Sequence, residues 1–136
     1  MATFPDDLAR ERPGARVLAV DDRSPFREVL CRLVDAAEGL ELVGAADSGE
    51  TAVSLAGQLR PDMILMDVAM PGLGGIEACR TIKTVRPETV VVLVSATHPN
   101  ELPLEVELSL ADAVIWKPTL RPALLQELWT SRMRPC

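Results

Sequence analysis

The sequence predicts an α/β fold: five parallel strands in a doubly wound sheet, with helices on both faces. Three observations carry this prediction. Short apolar runs alternate with stretches of helical periodicity. The runs lack in–out alternation, as strands buried on both faces should. Strand and helix alternate five times, (βα)5, and that order builds parallel sheets with right-handed crossovers.

The elements follow in order. The first strand is Arg16–Val20. A helix comes next, because Phe26, Leu30, Leu33, Val34 and Ala37 recur at helical spacing and Pro25 suits a first turn. Leu40–Ala45 is the second strand, and the Ala/Leu-rich Gly49–Leu59 is a helix that stops before Pro61. Met63–Met66 is the third strand, followed by a stripe of Ile76, Cys79, Ile82 and Val85 that ends before Pro87. Val90–Val94 is the fourth strand. Glu101–Leu110, with Pro103 near its start, reads as the fourth helix. Ala113–Trp116 is the last strand. Leu120, Leu124, Leu125 and Leu128 mark the last helix, with Thr119 as its cap and Pro122 in its first turn.

Composition sets the class. The chain has 136 residues, 48% of them hydrophobic and 25% charged, which suits a single folded domain. Residues 1–14 read as a flexible extension, 15–132 as the domain and 133–136 as a tail. The formal net charge of -6 argues against a surface built for nucleic-acid phosphates or an anionic membrane. No stretch resembles a signal peptide or a membrane span, so a cytoplasmic location is expected. Cys31, Cys79 and Cys136 form no CxxC pair, and Cys31 and Cys79 read as packing residues.

The chemistry lies at the strand ends, where folds of this class place their sites. "VLAVDD" ends the first strand in Asp21 and Asp22. The third strand ends in Asp67, the fourth in Ser95 and the fifth in Lys117. One aspartate at a strand end is ordinary turn chemistry. Three carboxylates, a hydroxyl and an ammonium on one edge are harder to assign to chance. Clustered carboxylates without His or Cys select a hard cation such as Mg2+. A carboxylate beside such an ion can act as a nucleophile toward phosphorus, with Lys117 and Ser95 suited to phosphoryl oxygens.

"VLAVDD", "PDMILMDVAMPGLGGIEACR", "VVVLVSA" and "WKP" stand in one order and spacing. With these pieces the chain resembles the receiver domain of two-component response regulators over about residues 15–130. The resemblance implies strand order 2-1-3-4-5. It implies that Asp67 is the phosphoacceptor, that Asp21, Asp22, Asp67 and the backbone carbonyl of Ala69 hold Mg2+, that Ser95 is the switch hydroxyl, and that Lys117 contacts the phosphoryl group. It implies a cis Lys117–Pro118 bond and positive φ in the loop of Gly72, Gly74 and Gly75. The implied partners are a sensor histidine kinase or phosphotransfer protein and a downstream target or output domain. A homodimer through the fourth helix, last strand and last helix is a further implied partner. His98 is not the phosphodonor and reads as a solvated loop residue.

Two positions depart from the family pattern. Val114 stands where an aromatic residue usually swings inward. Trp116, on the same side of the strand, either supplies the missing aromatic or simply covers the sheet edge. Ala69 cannot orient a water molecule, so a long-lived phosphoryl group is expected. A haloacid dehalogenase-type phosphatase would need a second aspartate where Ala69 stands, and no phosphate-binding Gly-rich loop is present; an enzyme is not expected. Two other readings stay open. One is the receiver piece of a longer regulator with a helix-turn-helix output, whose DNA contact would lie outside this acidic chain. The other is a receiver-like binding module that is never phosphorylated.

Overall fold

The strand residues pack in two opposite directions, and this parity organises the molecule. In a computed structural model, which describes residues 14–133, β1 (Ala15–Val20), β2 (Leu40–Ala46), β3 (Met63–Asp67), β4 (Val90–Ser95) and β5 (Ala113–Trp116) form one parallel sheet in the order β2-β1-β3-β4-β5. Successive strand side chains point to opposite faces. Leu18, Val20, Ile64, Met66, Val91 and Leu93 meet α2 (Gly49–Leu59) and α3 (Gly75–Val85) through Ala52, Ala56, Ala78, Cys79 and Ile82. Val17, Ala19, Met63, Leu65, Val90 and Val92 meet α1 (Ser24–Ala36) and α4 (Pro122–Met133) through Leu30, Val34 and Leu125. Every residue of β3 and β4 is buried, which explains their unbroken apolar character.

The fourth crossover differs from the expected helix. It is two 3-10 segments, Pro99–Glu101 and Leu104–Ser109, so the described chain has four α-helices. Pro103 stays extended at φ -66° and ψ 155° and separates them. Leu110 ends the second in the left-handed region, at φ 70°. The buried Ser109 hydroxyl donates to the Val106 carbonyl at 2.5 Å and accepts the Ala111 N–H at 3.2 Å, which ties the segment to β5.

Three smaller expectations are also corrected. The Lys117–Pro118 bond is trans, since no described peptide bond is cis. Lys117–Thr119 instead forms a 3-10 turn, closed by the Leu120 N–H on the Lys117 carbonyl at 3.1 Å. Thr119 donates its hydroxyl to the Trp116 carbonyl at 2.7 Å and so does not cap α4, which begins at Pro122. In the loop after β3 only Gly72 has positive φ, at 72°. Gly75 is required for space: a Cβ there would lie 2.1 Å from the Asp67 carbonyl oxygen.

At the sheet's opposite edge, buried Lys83 of α3 is fully engaged. Its ammonium donates to the Pro87 carbonyl at 2.9 Å, the Thr89 carbonyl at 2.8 Å and Asp112 at 2.8 Å. Asp112 also accepts the Val91 N–H at 2.8 Å. This network locks the start of β4 to the start of β5. Cys79 is buried in the core, which pushes its thiol up to about 11. The expected flexible extension, apart from Gly14, and the tail beyond Met133 lie outside the described residues.

Candidate acidic site at the strand ends

β1 and β3 are adjacent and parallel, so their carboxyl ends deliver Asp21, Asp22 and Asp67 to one place. One carboxylate oxygen from each lies within 4.8 Å of the others. Asp21 is fully buried and accepts the Arg23 N–H at 2.8 Å, while its carbonyl accepts from the Arg27 guanidinium at 2.8 Å. Lys117 enters from the end of β5. Its ammonium lies 3.1 Å from Asp67 Oδ1 and 3.5 Å from Asp21 Oδ2.

The electrostatics are unbalanced. Three carboxylates face one ammonium. Burial, followed by the Asp21 charge, pushes the Asp67 carboxyl above its ordinary value, and Lys117 opposes the shift. Asp22 Oδ1 is buried without a hydrogen-bond partner, although a buried carboxylate oxygen ordinarily has one. An all-oxygen donor set with an unsatisfied inward oxygen and surplus negative charge fits a hard divalent cation.

The remaining expected residues are placed less directly. Ser95 is buried at the end of β4, next to β3, and its hydroxyl bonds locally: it donates to the Thr97 carbonyl at 3.0 Å and accepts the Thr97 N–H at 2.9 Å. Ala69 is exposed in the loop after β3. Val114 packs into the core on the α2–α3 side. Trp116 donates its indole N–H to the Ala96 carbonyl at 3.2 Å. His98 is exposed, and its ring meets Trp116 edge-on at 5.0 Å, so it is not merely solvated.

Sequence reasoning missed two supporting residues. Phe26 was legible only as a helix packing position, yet its ring lies under Lys117, 4.0 Å from the ammonium to the centroid. Glu50, in the first turn of α2, accepts the Leu73 N–H at 3.1 Å and steadies the loop after Asp67. No local motif announces either contact.

Comparison with known proteins agrees with this geometry. The family model described as the response regulator receiver domain matches residues 17–128. Response regulator GacA of Pseudomonas aeruginosa is 43% identical over 88 residues, which are 65% of this chain and 41% of that protein. Protein-glutamate methylesterase/protein-glutamine glutaminase 5 of Myxococcus xanthus is 38% identical over 105 residues, 76% of this chain and 30% of that protein. The chain therefore spans less than half the length of these curated relatives. The response regulator domain of Thermotoga maritima CheB superposes with a TM-score of 0.76 at 33% identity, covering 90% of this chain and 99% of that one. The strand order, the acidic cluster with its lysine and the matched span agree: this chain belongs to the receiver domain family of two-component response regulators.

Proposed function

We propose that Asp67 accepts a phosphoryl group, with Mg2+ held by Asp21, Asp22, Asp67 and the Ala69 carbonyl. The unpartnered buried oxygen of Asp22, inside a carboxylate triad that Lys117 only partly neutralises, carries this reading. A bound Mg2+ would supply charge neutralisation for the carboxylates and for the phosphoryl oxygens.

The chain's own residues do the rest. An Asp67 carboxylate oxygen attacks the phosphorus of a phosphohistidine on a sensor kinase or phosphotransfer protein. The new O–P bond forms as the N–P bond breaks, and the imidazole nitrogen leaves with the electron pair. Lys117, already beside Asp67, pairs with a phosphoryl oxygen. Ser95 exchanges its local bonds to Thr97 for a bond to the phosphoryl group. The result is a population shift that a partner reads. In this role the chain is the acceptor of a signalling transfer and not an enzyme acting on a metabolite.

The face of the 3-10 segments, β5 and α4 is the proposed readout surface, for a downstream target, an output domain or a second copy. Leu104, Leu108 and Leu110 stand more than half exposed there, at 71%, 60% and 52%, which supports that use. The share of the relatives that this chain spans also favours the receiver unit of a longer regulator, with residues 15–132 as that unit. Among the described residues no helix is long and apolar enough to cross a membrane.

Acetyl phosphate tests the acceptor reading. Wild type with Mg2+ should gain the mass of one phosphoryl group, and Asp67→Asn should not. No gain on wild type would leave a binding module that is never phosphorylated.

A further inference from the structure

Lys117 is held from a direction that the carboxylates do not explain. Its ammonium has two anionic neighbours, Asp67 Oδ1 at 3.1 Å and Asp21 Oδ2 at 3.5 Å. Its third neighbour is the Phe26 ring, 4.0 Å away at the centroid and well inside the range in which a ring face attracts a cation. Lys117 is only 16% exposed, so water screens this contact little.

The first turn of α1 fixes that ring. Pro25 presets the backbone as the helix begins. Arg27 clamps the turn to the Asp21 carbonyl at 2.8 Å. Phe26 also packs against the α1–α4 side of the core. Its ring therefore has a structural anchorage besides its contact with the lysine.

We propose that Phe26 is a positioning residue for Lys117, its ring holding the ammonium beside Asp67. A four-carbon side chain has many rotamers, and two carboxylates 3.1 and 3.5 Å away allow several of them. The ring restricts that choice. It also keeps Lys117 near the site when Asp67 spends its charge on the phosphoryl bond. This inference rests on the acceptor reading, and the test separates the two.

The test uses the full chain, saturating Mg2+ and acetyl phosphate, a donor too small to depend on protein docking. Phe26→Leu should slow phosphorylation by about two- to thirtyfold, the range a contact of this kind supports. Phe26→Tyr keeps the ring face and should restore most of the rate. Mg2+ is saturating for each variant, so any change in Mg2+ affinity that follows from releasing Lys117 stays out of the rates compared. In the NMR spectrum the Lys117 ε-methylene protons should lie upfield in wild type and lose that shift in Phe26→Leu. Equal rates for wild type and Phe26→Leu would overturn the proposal. So would a Phe26→Tyr variant as slow as Phe26→Leu, which would assign the loss to packing. If wild type is not phosphorylated at all, the acceptor reading fails instead, and the NMR shift still reports the contact.

Discussion

Replacing Asp67 with Asn should stabilise the folded chain at neutral pH. At 4.8 Å, the outer limit of the separation between their nearest oxygens, two unit charges repel by about 3.5 kcal/mol at an effective dielectric constant of about 20. Asp67 faces two such neighbours, Asp21 and Asp22, and one cation, Lys117, at 3.1 Å, worth about 5 kcal/mol on the same scale. Removing its charge relieves two repulsions and gives up one attraction. The net gain is about 1–2 kcal/mol before the relief of burying a charge is added. For a 136-residue chain that is about 4–7 °C in Tm. The pH dependence fixes the sign. The Asp67 carboxyl is raised above 3.8 by burial and Asp21, so the native state holds its proton more tightly than the unfolded chain. Stability from the neutral form is complete below pH 3.8 and is lost as pH rises through the native value. Asn resembles the neutral form at every pH. Thermal unfolding should therefore show the two proteins converging as pH falls toward 4 and separating by pH 7. Added Mg2+ should narrow the gap by stabilising wild type more. A variant less stable than wild type at pH 7, or a gap that ignores pH, would refute the electrostatic account of the cluster.

Other substitutions test other links. Lys83→Met should cost about 1–3 kcal/mol in urea unfolding, because the buried Thr89 carbonyl, the Pro87 carbonyl and the Asp112 carboxylate all lose the ammonium as a donor. Adding Asp112→Asn should recover part of that loss, and a cost below about 1 kcal/mol for Lys83→Met alone would show that the network is not structural. The phosphoryl group on Asp67 should be long-lived with Mg2+ present, and Ala69→Asn should hasten its loss by giving water a hydrogen-bond partner; rapid self-dephosphorylation of wild type would remove Ala69 from that role. In a Trp129→Phe background, Trp116 emission should change when Asp67 is phosphorylated, and unchanged emission would exclude Trp116 from the switch.

What could be read from the sequence differs by element for physical reasons. The sheet was legible because β3 and β4 are buried on both faces, and such strands leave continuous apolar runs. The acidic cluster was legible because parallel strands deliver their ends to one edge whatever lies between them. The segment after β4 was not, because its apolar spacing suits α and 3-10 geometry alike. The backbone of Pro103 and the Ser109 hydroxyl decide between them. The helical spacing of Phe26 marks it as a packing residue, which it partly is. Its contact with Lys117 joins residues 91 positions apart and leaves no periodic trace. The expected cis bond gave way to a 3-10 turn that the short "WKPT" string does not distinguish from other turns.

Val114 changes how a signal could leave the site. A β-branched side chain has few rotamers, and this one packs into the α2–α3 core, so it has no aromatic swing to offer. In the proposed switch Ser95 would give up its two bonds to Thr97, each worth about 0.5–1.5 kcal/mol net, for one charged bond to a phosphoryl oxygen worth about 1.5–3 kcal/mol. The exchange is close to balanced, which is what a switch requires. Thr97 is exposed, so water can satisfy the groups that Ser95 leaves. Ser95 pairs in register with Trp116, whose indole bonds the Ala96 carbonyl and whose ring meets His98. Movement of residues 95–97 must therefore disturb Trp116 before it can disturb Val114. In the proposed switch the aromatic placed to feel the exchange would be Trp116, at the end of β5, not a residue three before the lysine.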